Sequence, residues 1–133
     1  GQLDSNSYAT TTMHHLLSDM TTLLNDSKRN IILGGDFNVS EQFDAKYKGQ
    51  YPSHKLVFDR LEDFGLVNIT KKFNEGKHVQ THIHSRSDYP WQNDYLFASE
   101  NIFERITNCE VIRNEQLIEL SDHLPVSIEL DFE

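Results

Sequence analysis

The sequence predicts an α/β (α+β) domain, helices packed against a sheet, on three observations. Met13, Leu16, Leu17, Met20, Leu23 and Leu24 recur at helical spacing, the clearest period in the chain. A short polar turn then leads into Ile31-Ile32-Leu33, a brief apolar run followed by Gly34-Gly35, which favours a core strand over another helix. The chain closes on a regular alternation, Val126, Ile128, Leu130 and Phe132 against Ser127, Glu129 and Asp131, as in a strand with one buried face. At 133 residues this is a single domain, or a piece of one, long enough to build a core.

In chain order, Gly1 to Thr12 reads as a polar lead-in with helix caps among Thr10, Thr11 and Thr12. The first helix should end near Asn25-Asp26-Ser27, with His14 and His15 solvated on its polar side. The strand that follows presents Asp36 and Asn38 at its end. In an extended chain these point the same way, a plausible clamp for a cation and an oxyanion. Glu41 to Pro52 reads as an irregular loop whose Lys46, Tyr47, Lys48 and Tyr51 could meet a phosphate or a base. Ser53 is a cap for a second helix carrying Val57, Phe58, Leu61 and Phe64, with Gly65 just past its end. Leu66 to Thr70 leads out along the core.

From His78 to His84 the chain alternates, with Val79, Thr81 and Ile83 on one face and His78, Gln80, His82 and His84 on the other. Histidines two apart on a strand can share a metal, but no acid or cysteine stands nearby to complete a site, so the histidine face reads as exposed. Asp94 to Ser99 and Arg105 to Arg113 read as strands, and Asn114 to Leu120 as a loop or short helical turn. Ser121-Asp122-His123-Leu124-Pro125 opens the last strand.

Composition narrows the classes. Hydrophobic content of 37% with no apolar run of membrane-spanning length fits a soluble globular chain without a transmembrane segment. A net charge of −9 argues against strong non-specific adhesion to DNA, which needs Lys and Arg to displace counterions. It leaves room for a phosphate substrate, because a bound divalent cation can supply positive charge locally. The single Cys109 cannot form an intrachain disulfide and sits in a β-like run as an inert thiol, so a reducing, cytoplasmic setting is compatible. Gly1 to Ser5 has neither the basic nor the apolar part of a signal peptide.

Three polar clusters thus stand at strand edges: Asp36 with Asn38, Asp94, and Asp122 with His123. Together they hold what metal-assisted attack of water on a phosphate ester requires. That set is hard oxygen ligands for Mg²⁺ or Mn²⁺, a histidine for proton transfer with a carboxylate to fix its tautomer, and an amide for the phosphoryl oxygen. Read locally, each cluster is equally an Asx turn or a loop end.

The order Gly-Gly-Asp-Phe-Asn (Gly34 to Asn38), then Trp91-Gln92-Asn93-Asp94-Tyr95-Leu96-Phe97, then Ser121-Asp122-His123-Leu124-Pro125 resembles the endonuclease/exonuclease/phosphatase superfamily, the DNase I-like enzymes. The resemblance implies that Asp36 and Asn38 contact the catalytic metal, Mg²⁺ or Mn²⁺, the attacking water or the phosphate. By the same resemblance His123 is the general base or charged stabiliser at the scissile phosphate, Asp94 holds His123, and Asp122 contributes to the metal site. Gln92 and Asn93 depart from the basic and aliphatic residues that usually precede the Asp-Tyr pair. The family fold is a four-layer αββα sandwich. The resemblance covers its C-terminal half, one mixed β-sheet with two main helices on one face. The asparagine, the metal-binding glutamate and the histidine-bearing strand of the N-terminal half have no counterpart before Thr10.

A half-sandwich leaves one sheet face uncovered, so the chain is expected to form a homodimer or to pair with a missing N-terminal half. The implied function is a metal-dependent phosphoester hydrolase, a nuclease or phosphatase/phosphodiesterase acting on a phosphate ester such as nucleic acid, weak or inactive as this half alone. The alternative is a non-catalytic assembly or binding module built on the half-sheet, which would need none of the five polar residues.

Overall fold

The computed structural model describes residues 5–26 and 28–132, so the expected lead-in over Gly1 to Asp4 and the Ser27 end of the first helix lie outside it. Helix α1 (Ser5–Asp19) and the single turn α2 (Thr21–Leu24) carry the first apolar period, burying Ala9, Met13, Leu17 and Leu24. The helix begins before the expected threonine caps because Thr10 lies inside it. That side chain is buried and its hydroxyl donates back to the Ser7 carbonyl. Strand β1 (Ile32–Asp36) follows, then α3 (Glu41–Lys46), α4 (Lys55–Asp63), β2 (Leu66–Asn68) and α5 (Ile69–Phe73). After a long extended segment come β3 (Asp94–Ser99), α6 (Glu100–Phe103), β4 (Ile106–Val111), α7 (Glu115–Leu120) and β5 (Val126–Leu130).

The expected single mixed sheet differs from the hydrogen bonding observed. Among the described residues every strand pairing is antiparallel and forms two ladders, one of order β1-β3-β2 and one of β4 with β5. Residues 81–83 stitch the two together. His82 bridges Trp91 on one side and His123 on the other, Ile83 N–H donates to Asp122 O, and Leu124 N–H donates to Thr81 O. The alternation seen at 78–84 therefore marks a connecting strand too irregular to form a ladder of its own.

The two main helices lie on one face, as expected. Val57, Phe58 and Leu61 of α4 and Met13 and Leu17 of α1 pack on Phe37, Tyr95 and Phe97. Arg60 of α4 reaches across to the His14 carbonyl and Ser18 Oγ, so His14 is partly covered rather than simply solvated. A smaller apolar cluster joins Ile69, Ala98 and Ile106 to Leu96, Ile128 and Leu130. Register places Ile32, Gly34 and Asp36 opposite Ala98, Leu96 and Asp94. Since side chains alternate along a strand, these six share the face away from Tyr95 and Phe97. Strand β1 is not the buried core strand expected: it is an edge of its ladder, and Ile32 is 46% exposed.

Residues 41–46 form a helix where a loop was expected, because Ser40 caps it by accepting from Gln42 N–H and Glu41 and Asp44 stand in its first turn. Ser53 does not cap α4. Asp44 does so from α3, its carboxylate accepting from His54 N–H at 2.9 Å and Lys55 N–H at 2.8 Å. Gly65, at φ 80°, closes α4 in the left-handed conformation that a side chain disfavours.

Candidate active site

The polar clusters meet at one end of the sheet. Asp36 ends β1 and Asp94 begins β3, paired directly across the ladder. His123 arrives through the 81–83 segment, whose bridge with His82 sets it beside β3. The His123 Nδ1 lies 2.8 Å from Asp94 Oδ2, while its Nε2 faces Asp36 Oδ2 at 3.6 Å and Asp122 Oδ1 at 3.9 Å. Three stretches well separated in sequence thus meet at one imidazole ring.

Backbone hydrogen bonds hold this arrangement. Thr81 is fully buried, and its Oγ1 accepts from both Asn93 N–H at 3.0 Å and Asp94 N–H at 3.1 Å. Gln92, buried as well, receives Val79 N–H on its side-chain oxygen and donates to Thr70 Oγ1 and the Asp94 carbonyl. The departures from the motif at 92 and 93 therefore carry structure here: Gln92 braces the strand start, and Asn93 Nδ2 meets His82 Nδ1 at 3.2 Å. Ser121 Oγ accepts His123 N–H at 3.0 Å, which fixes the turn into the last strand.

Asn38 reaches the site by a route other than the one expected. The strand stops at Asp36, and Asn38 sits at φ 53°, with its N–H donating to Asp36 Oδ1 at 2.9 Å. Asparagine tolerates this left-handed conformation, so a turn rather than extended alternation brings Asn38 to the cavity wall beside Asp36.

Burial of the His123 ring opposes protonation, but the Asp94 hydrogen bond and the charges of Asp94, Asp36 and Asp122 outweigh it and raise the pKa above the ordinary histidine value. An imidazole held at Nδ1 by a carboxylate and free at Nε2 can take or give a proton at the open side. Two sets of potential metal ligands converge there, Asp36 with Asp94 and His123, and His82 with Asp122 and His123. Asp36, Asp122 and the Asn38 amide are oxygen donors of the kind a hard divalent cation takes, with water and phosphate to complete its shell.

The site opens onto a cavity of about 790 Å³ whose walls include Asp36, Asn38, His82, Asn93 and Trp91. Lys46 and Tyr47 also line it, whereas Lys48 does not and Tyr51 packs on Phe43 at a centroid distance of 5.2 Å. Lys46 Nζ lies 4.4 Å from the Tyr89 ring centroid and 5.5 Å from that of Trp91, forming a cationic, aromatic corner.

His82 is the residue that sequence reasoning left on an exposed polar face. Its side chain is only 17% exposed, stacks on the His123 ring at 4.6 Å, and its Nε2 lies 3.4 Å from Asp122 Oδ2. The alternation at 78–84 did place it on a polar face. The groups that complete its surroundings lie forty residues later and could not be read locally. Cys109 conforms to expectation: burial and Glu110 raise its pKa, which keeps the thiol protonated.

No protein-family model matches the sequence, and no curated protein matches it. Solved structures do. An AP endonuclease from Archaeoglobus fulgidus superposes with a TM-score of 0.76 at 21% identity, covering 93% of this chain and 54% of that one. The 3′ phosphatase NExo from Neisseria, bound to product DNA hairpin, gives a TM-score of 0.69 at 18% identity, with coverage of 93% and 52%. The AP endonuclease LMAP from Leishmania major gives 0.64 at 18% identity, covering 92% and 42%. The chain thus spans about half the length of the first of these structures, and over nearly all of its own length it has the fold of the DNase I-like nucleases and phosphatases.

Proposed function

We propose that this chain is half of a metal-dependent phosphoester hydrolase, a nuclease or phosphatase/phosphodiesterase whose substrate is nucleic acid. The observation that carries the reading is the His123 ring, with Asp94 at Nδ1 and the carboxylates of Asp36 and Asp122 around Nε2, Asp36 itself lining the cavity. Asp94 accepts a hydrogen bond from Nδ1–H and so leaves the lone pair on Nε2, the atom that faces Asp36 and Asp122. From there His123 takes a proton from the attacking water, or in its protonated form meets the charge growing on the phosphoryl oxygens. Asn38 orients a phosphoryl oxygen through its side-chain amide. Asp36, Asn38 and Asp122 would hold Mg²⁺ or Mn²⁺, which when bound supplies Lewis-acid polarisation of the phosphate and a more acidic water. Lys46 with Tyr89 and Trp91 offers a surface for a phosphate and a base together, which supports nucleic acid over a lipid head group. The DNA hairpin bound to the Neisseria phosphatase agrees with that choice.

The remaining half of the sandwich would cover the sheet face that carries Ile32 and Leu96, and would supply further metal ligands. Activity therefore belongs to the complete sandwich and is weak or absent in this chain alone. The test is hydrolysis of a DNA phosphodiester or 3′-phosphate substrate by the complete protein. His123→Ala and Asp94→Asn should each lower kcat/KM about 10²–10⁴-fold. Full activity in either variant would refute the assignment, and robust turnover by this chain alone, abolished by EDTA and by His123→Ala, would refute its dependence on the complete sandwich.

A further inference from the structure

Overlapping the Asp36–Asp94–His123 group at His123, the structure holds a second convergence of metal-ligating atoms, in which His82 is the member that the hydrolytic reading does not use. His82, Asp122 and His123 each contribute one atom, all within 4.8 Å of one another. We propose that these three side chains form a binding site for a borderline divalent transition metal, Zn²⁺ above all, with His82 as its distinguishing ligand.

Three features carry this. The first is spacing. Zinc bonds of 2.0–2.1 Å at tetrahedral angles put neighbouring ligand atoms about 3.3–3.4 Å apart. His82 Nε2 and Asp122 Oδ2 stand at 3.4 Å, and His123 Nε2 lies 3.9 Å from the other oxygen of the same carboxylate. Small side-chain rotations close the difference, and Asp122, with a side chain 67% exposed, is free to make them.

The second is donor chemistry. Two imidazoles and one carboxylate, with a fourth position open to water, is a zinc set; a hard Mg²⁺ ion prefers oxygen ligands throughout.

The third is the support behind each ring. His123 Nδ1 donates to Asp94, the carboxylate–histidine arrangement that directs the opposite nitrogen to a metal and raises its basicity. His82 Nδ1 meets the Asn93 side-chain amide nitrogen at 3.2 Å, a contact that holds the orientation of the ring. The His82 and His123 rings are stacked with planes only 19° apart, and the Nε2 of each faces the Asp122 carboxylate.

An ion at this position takes the Nε2 lone pair of His123, the atom that the proposed hydrolysis uses for proton transfer. The zinc-loaded and hydrolytic states are then mutually exclusive, and zinc acts as an inhibitor. That consequence rests on the proposed function, whereas binding does not.

The test titrates the chelator-treated chain with Zn²⁺ by calorimetry and with Co²⁺ by visible absorption, alongside circular dichroism to establish folding. One ion per chain is expected, with the intense cobalt bands of a four-coordinate site. His82→Asn and the exposed Asp122→Asn should each weaken Zn²⁺ binding at least the 10–100-fold seen when even a supporting partner is lost. His84→Asn, next along the same segment, should change it less than about twofold, since His84 stands outside the cluster. Absence of stoichiometric zinc in the wild-type chain, or affinity unchanged in folded His82→Asn and Asp122→Asn, would overturn the site. Loss of binding in His84→Asn with retention in Asp122→Asn would overturn it in favour of a local strand pair. Failure of His123→Ala to affect hydrolysis would refute the proposed function and leave the zinc site standing.

Discussion

At the scale of single residues, Thr81 does more for the site than any residue that would touch substrate. It is fully buried, its hydroxyl oxygen accepts from the backbone N–H groups of both Asn93 and Asp94, and its carbonyl takes Leu124 N–H at 2.7 Å. One threonine therefore sets the start of β3, which carries Asp94, against the start of the last strand, which carries His123. Thr81→Val keeps the shape and removes the acceptor, leaving two N–H groups without it. It should cost about 1–3 kcal/mol in urea unfolding, with Thr81→Ser close to wild type. His54 makes a second prediction. It is 2% exposed, its Nδ1 accepts Ser40 N–H at 3.0 Å, and its Nε2 has no partner among the described residues. Burial lowers its pKa, only partly offset by Asp44. The unfolded chain thus binds a proton near pH 6.5 that the folded chain still refuses. Stability is complete above that pH and falls as pH drops through 6.5 towards the lower folded value. Thermal melts from pH 7.5 to 5 should show this acid-side loss, and a folded His54→Gln variant should flatten it.

At the scale of elements, short helices here depend on caps because few of them have the length to be stable alone. Ser40, Asn68 and Asn114 each cap the helix that follows them through a side-chain oxygen. Helix α4 is capped from outside, its first turn held from α3 by Asp44 through two backbone N–H groups and Ser53 Oγ at 3.3 Å. This link also fixes α3, and with it the Lys46 corner of the cavity, relative to α4. Asp44→Ala should lower stability by about 1–2 kcal/mol, the upper part of the range for a lost cap, measured by denaturant titration. Asp44→Asn, which keeps an acceptor oxygen, should recover part of that loss.

At the scale of the whole molecule, the two faces of the sheet are treated differently. Phe37, Tyr95 and Phe97 are covered by α1 and α4, whereas Ile32 on the other face stays 46% exposed at an edge strand. An apolar edge without cover is a surface for association. The chain should therefore self-associate at high micromolar concentration, or bind the complementary half of the sandwich. Light scattering coupled to size-exclusion chromatography checks this, and Ile32→Lys should shift the profile towards monomer. A wild-type chain that stays monomeric throughout would count against the expectation. No helix among the described residues is long and apolar enough to cross a membrane.

The sequence by itself determined the elements with strong local signals and singled out five candidate site residues. The helical period from Met13 to Leu24, the strand Asp94 to Ser99 and the closing alternation from Val126 were all legible, because 3.6- and 2-residue periods are written in neighbouring residues. Asp36, Asn38, Asp94, Asp122 and His123 were candidates through the order of three motifs. Only the tertiary structure decided how they meet. It replaced extended alternation by a left-handed turn at Asn38, moved the cap of α4 from Ser53 to Asp44, and brought His82 onto His123. Each of these depends on a partner ten to forty residues away or on a backbone torsion. Such relations are set by which strands pair and which face each side chain takes, and no local pattern of residue types records them.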